Sequence, residues 1–102
     1  MPNTVKVEPN STATLYYKDT PVIPESEPAI TIKNNGPSND ISITSYWAAP
    51  LYVGGWHVLN EQGLKVGETV KLDGGAGPFY HFKVEARNNF LNASAELEVS
   101  WD

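Results

Sequence analysis

Apolar and polar residues alternate with a period of two along most of the chain, and each run is closed by Gly, Pro, Asn or Asp. No window carries the i, i+3, i+4, i+7 spacing of an amphipathic helix for more than one turn. The pattern predicts about eight strands. Val5 and Val7 carry the first, and Thr12–Lys18 is the second, with Ala13, Leu15 and Tyr17 on one face. Ile30 and Ile32 mark a third that ends at Asn34-Asn35-Gly36-Pro37. Ile41, Ile43 and Trp47 line the fourth, and Trp56–Leu59 forms the fifth. Val70 and Leu72 form the sixth; Tyr80, Phe82, Val84 and Ala86 the seventh; Ala93, Ala95, Leu97, Val99 and Trp101 the eighth.

The intervening positions are polar, as with Lys83, Glu85 and Arg87 in the seventh strand and Ser94, Glu96 and Glu98 in the eighth. Antiparallel sheets with one wet face require this alternation. Short strands separated by frequent turn signals predict an all-β fold: an antiparallel two-sheet sandwich, immunoglobulin-like or jelly-roll-like, with essentially no helix. A closed barrel is the competing architecture. Residues 1–102 are expected to form one domain. Asp19–Pro28 contains Pro21, Pro24 and Pro28, so it reads as an extended connection rather than a strand. Gly74-Gly75-Ala76-Gly77-Pro78 reads as a hairpin turn.

Charge narrows the partners. The formal net charge is −5, from 12 acidic and 7 basic residues, and the basic residues are scattered singly. Binding to a phosphate backbone needs clustered Lys and Arg, so nucleic acid is not an expected partner. No run reaches the ~18 apolar residues of a transmembrane segment. No basic-then-apolar signal sequence opens the chain, so a secreted origin with the signal already removed and a cytoplasmic one both stay open. The chain has no cysteine, which removes disulfides, thiolate chemistry and Cys-based zinc sites.

No catalytic motif is present: no G-x-S-x-G elbow, no phosphate loop, and no H-x-H or H-E-x-x-H pair. The expectation is therefore a non-enzymatic protein with no cofactor and no metal site. His57 and His81 fall in different strands, and strand parity sets His81 opposite Phe82, at an exposed or edge position. Gly74–Ala86 resembles the glycine-rich loop and following strand of chagasin-type cysteine-protease inhibitors. The Asn-Pro-Thr-Thr-Gly and Arg-Pro-Trp loops of those inhibitors are absent here, so the resemblance assigns no family. Ile30–Ile43 is similar to a strand pair of the small membrane-active aegerolysin sandwiches, a generic pattern.

The distinctive stretch is Ile41–Asn60, which contains no Asp, Glu, Lys or Arg and carries Tyr46, Trp47, Tyr52 and Trp56. Parity places Trp47 with Ile41 and Ile43, and Trp101 with Leu97 and Val99, so both are expected in the core. Tyr46 falls on the outer face, and Tyr52 and Trp56 lie in or beside a loop, where the backbone alone demands no aromatic. Flat rings pack against the C–H faces of sugars, and nearby amide and imidazole groups take the hydroxyls. The candidate ligand-binding residues are therefore Tyr46, Tyr52, Trp56, His57, Asn60, Phe79 and His81. The expected function is a carbohydrate-binding, lectin-like module that takes a neutral glycan. The alternatives are a self-assembling or membrane-active toxin-like protein and an effector or inhibitor that binds a protein surface, with a homo-oligomer among the expected assemblies.

Overall fold

A computed structural model describes residues 3–19, 29–72 and 81–101. In chain order the strands are β1 (Asn3–Val7), β2 (Ser11–Asp19), β3 (Ile30–Pro37), β4 (Ile41–Ala48), β5 (His57–Leu64), β6 (Thr69–Leu72), β7 (His81–Asn88) and β8 (Ala95–Trp101). They form two four-stranded antiparallel sheets with orders β1-β8-β3-β6 and β2-β7-β4-β5. The expected sandwich is the observed fold. Among the described residues the sole helical piece is a single 3-10 turn at Pro50–Tyr52.

The core follows from the alternation. Ile30, Ile32, Leu97 and Val99 of the first sheet are buried with Ile41, Ile43, Phe82, Val84 and Ala86 of the second. Each fully buried aliphatic or aromatic side chain contributes roughly 1.5–3 kcal/mol relative to exposure. Trp47 and Trp101, expected in the core, are half-buried and pack against its edge. Trp47 is the penultimate residue of β4 and Trp101 the last of β8, so both sit at strand ends rather than in the middle of the core.

Three irregularities shift the expected pattern. Leu15 is an extra residue in β2, because Thr14 pairs with Glu85 and Tyr16 with Val84. A bulge of this kind inverts parity for the rest of the strand. Tyr16, not Tyr17, therefore faces inward, where it meets Phe82 at 6.1 Å and Trp101 at 5.1 Å edge-to-face. Tyr17 faces outward and is exposed. Leu59 is a second extra residue, between Asn60 opposite Ser45 and Val58 opposite Tyr46. The fifth strand also runs on to Leu64, and as an edge strand exposed along most of its length it shows no clean alternation.

The third irregularity lies in β3, which continues to Pro37 instead of ending at Asn34. Asn34 is in phase with Ile30 and Ile32 and is fully buried. Its Nδ2 donates to the carbonyls of Ser38 and Leu64, both at 2.9 Å, and its Oδ1 accepts from the Gly36 amide at 2.8 Å. Gly36 sits at φ +83°, and a Cβ there would press on the Val66 methyls at 3.3 Å, so glycine suits the position on both counts. Asn88 closes the same end of the sandwich. Its Nδ2 donates to the carbonyls of Val7 and Ala93, and its Oδ1 accepts from the Ser38 hydroxyl and the Phe90 amide. Buried amides are tolerated when satisfied in this way.

The loops 8–10, 38–40, 65–68 and 89–94 gather at this asparagine-clamped end. Loop 49–56 leaves from the opposite end. The expected proline-rich connection after Asp19 and the Gly74–Pro78 turn lie outside the described residues.

Candidate functional site

The outer face of the β2-β7-β4-β5 sheet is built from the polar members of the alternation. Register places Tyr46 opposite Lys83, Thr44 opposite Glu85 and Ser42 opposite Arg87, while Thr12 meets Arg87 from the other side. Thr12, Ser42, Thr44, Tyr46, Glu85 and Arg87, together with Glu61 and Asn89, line a shallow cleft of about 260 Å³.

The cleft is held by side-chain bonds along its floor and rim. Arg87 donates to Asn10 Oδ1 at 2.7 Å and to Thr12 Oγ1 at 3.4 Å. A guanidinium carries five N–H donors in a planar fork, so these two contacts orient it without exhausting it. Asn89 Nδ2 donates to Ser42 Oγ at 2.9 Å. Lys83 pairs with Glu85 at 3.2 Å, and its ammonium lies 5.0 Å from the Tyr46 ring centre and 4.5 Å from that of Trp56. Ammonium contacts of this kind stabilise by roughly 0.5–2 kcal/mol, so Lys83 pins both rings to the sheet.

Beside the cleft, loop 49–56 folds back over the outer face of β7. Tyr52 stacks on His81 with 3.9 Å between ring centres and 14° between planes. Trp56 approaches His81 edge-on at 6.4 Å and Tyr52 at 5.4 Å. Tyr17 completes the group, through an edge contact to Trp56 at 6.2 Å and a hydroxyl–hydroxyl hydrogen bond to Tyr52. His81 is consequently buried, not exposed. Parity put it on the correct face, opposite Phe82. The loop that returns to cover it is a long-range feature that no local pattern encodes.

The seven residues singled out from the sequence therefore divide. Tyr46, Tyr52, Trp56 and His81 share the outer face. His57 pairs with Trp47 and stacks on its ring at 4.6 Å, on the inward-facing side of the edge strand. Asn60 is opposite Ser45 on that same side and is exposed, away from the cleft. Phe79 lies outside the described residues. The sequence reading missed Tyr17, Lys83, Glu85 and Arg87 as site residues. The polar face of β7 was legible, but its concavity was not, and Tyr17 was hidden by the Leu15 bulge. Among the described residues no group of three or more His, Asp or Glu side chains is placed to hold a metal ion.

The fold and this face together define a two-sheet antiparallel sandwich with a polar, aromatic-walled cleft on one sheet. The chain belongs to the PirA-like family, whose model matches residues 2–97. Among solved structures it is similar to one described as the crystal structure of PirA, with a TM-score of 0.90 and 28% identity over 99% of this chain and 93% of that one. No curated protein matches it.

Proposed function

We propose that this chain is a toxin-related, non-enzymatic binding protein whose outer-face cleft takes a neutral glycan. Membership of the PirA-like family supports the toxin-related part. The observation that carries the glycan part is the composition of the cleft. A half-buried aromatic wall, Tyr46, stands beside hydroxyls from Thr12, Ser42 and Thr44, a carboxylate from Glu61, and the Arg87 guanidinium. Sugars present apolar C–H faces and directional hydroxyls at once, and a cleft that mixes one ring with closely spaced donors and acceptors matches both. The charged lining residues Glu61, Glu85 and Arg87, with Lys83 paired to Glu85 beside the cleft, sum to no net charge, so the cleft favours a ligand without strong net charge.

A glycan array tests the proposal, followed by titration of tryptophan fluorescence with any hit, because Trp56 borders the Tyr46–Lys83 pair. Saturable binding of a neutral glycan that is lost in Arg87→Ala is the expected result. An array with no neutral hit overturns the reading.

A further inference from the structure

Loop 49–56 carries apolar surface that the glycan cleft does not use. Leu51 is 87% exposed and Val53 69% exposed, on either side of the Tyr52 ring that descends onto His81. Val58, on the outer face of the adjoining edge strand, is exposed as well. Leu51 and Tyr52 hold φ values of +59° and +57°, a left-handed conformation that favours Gly or Asn and costs a branched or bulky residue. A leucine kept in that conformation and in water at the same time is a double penalty. The loop is nonetheless fixed from below, by the Tyr52–His81 stack, the Tyr17–Tyr52 hydrogen bond, and Lys83 against Trp56. Its base holds the shape, and its tip is left presenting apolar side chains outward.

We propose that this loop is a membrane-interface anchor that sinks Leu51 and Val53 into the surface of a zwitterionic lipid bilayer. Three observations favour lipid over a protein partner. The tip offers only a few apolar side chains, well short of the ~800 Å² and 20–30 residues per side that a stable protein interface needs. Residues 41–60 include no Asp, Glu, Lys or Arg, so the tip itself carries no formal charge to desolvate when it enters hydrocarbon. Below the tip, Tyr17, Tyr52 and Trp56 form a belt of amphipathic rings, the residue types that settle at the headgroup level. The net charge of −5 opposes attraction to anionic lipid, which points to zwitterionic headgroups. This inference does not rest on the glycan reading.

The test is sedimentation with sugar-free phosphatidylcholine vesicles, so that it fails or succeeds independently of the cleft. The wild-type chain is expected to partition onto the vesicles. Leu51→Asp with Val53→Asp should lower the partition coefficient by about tenfold or more with an unchanged melting temperature, since both side chains are solvent-exposed. Leu51→Met with Val53→Ile should retain binding, because the requirement is apolarity. Absence of wild-type binding, equal binding by the double aspartate variant, or binding only to phosphatidylserine-containing vesicles overturns the proposal. So does a dimer in light scattering that the aspartate pair dissociates, which would assign the tip to a second copy.

Discussion

The Tyr52 ring lies flat on the His81 imidazole, 3.9 Å between centres, and this contact ties a loop of one strand pair to the outer face of a strand in the middle of the sheet. It turns a position that alternation assigns to solvent into a buried one. The same contact fixes where the loop tip stands. Removing it tests whether the loop is held from its base. Tyr52→Ala should cost about 1–2 kcal/mol, the loss of a stacked aromatic pair together with part of its buried area. For a domain of this size that is a fall in melting temperature of roughly 4–16 °C. Amide exchange should rise in residues 49–56 while β7 and β4 stay protected. An unchanged melting temperature would show that the loop is held by something else.

The Leu15 bulge makes a sharper test, because it assigns opposite roles to adjacent tyrosines. Tyr16→Ala removes a ring packed on Phe82 and Trp101 and should cost about 3–5 kcal/mol. Tyr17→Ala loses an exposed ring with its edge contact to Trp56 and its hydroxyl bond to Tyr52, and should cost about 1–2 kcal/mol. Urea denaturation of the two variants checks this. The reverse order would mean that β2 runs without the bulge.

Asn88 and Asn34 anchor the opposite end. Asn88→Ala orphans the Val7 and Ala93 carbonyls, the Ser38 hydroxyl and the Phe90 amide in one step. At about 1–3 kcal/mol for each buried group left unpaired, and with partial relaxation into water, the expected loss is at least 3 kcal/mol. Asn88→Asp keeps the shape but loses both donors, so it should also destabilise by several kcal/mol at neutral pH. Equilibrium unfolding in urea measures both. A loss below 1 kcal/mol in either variant would contradict the network.

Trp101 ends the last strand, opposite Ile30, with Tyr16 against its ring. Truncation before Ser100 should lower stability by about 3 kcal/mol or more, since it removes a half-buried aromatic together with a strand end paired to β3. A truncated chain that melts at the wild-type temperature would show that the end of β8 is dispensable.

How much of this was legible beforehand depends on how local each cause is. The sandwich was legible because the period of two is imposed residue by residue, and Phe82, Val84 and Ala86 read as one face without knowledge of any partner. The two tyrosines of β2 were not, because a bulge is a property of the strand pair and leaves the sequence of one strand unmarked. Asn34 looked like a turn residue. It is buried because the carbonyls of Ser38 and Leu64, the latter thirty residues away, arrive to satisfy it. Of the candidate site, Tyr46, Tyr52 and Trp56 were found from their position in an uncharged segment. His57 and Asn60 were grouped with them by proximity in sequence, which the sheet then separated onto its other side. Arg87 and Glu85 were read as solvated face; Arg87 is exposed but Glu85 is half-buried, and that reading carried no information about the cleft they line.

The central claim is that the outer-face cleft binds a neutral glycan through Tyr46 and Arg87, and titration calorimetry of the best array ligand tests it most directly. Tyr46→Ala and Arg87→Ala should each weaken binding by about tenfold or more, as loss of a stacking ring or of a hydrogen-bonding guanidinium costs on the order of 1.4 kcal/mol or above. Asn60→Ala, on the inward-facing side of the edge strand, should bind as the wild type does. Equal affinity in all four proteins, or a loss confined to Asn60→Ala, would contradict the account.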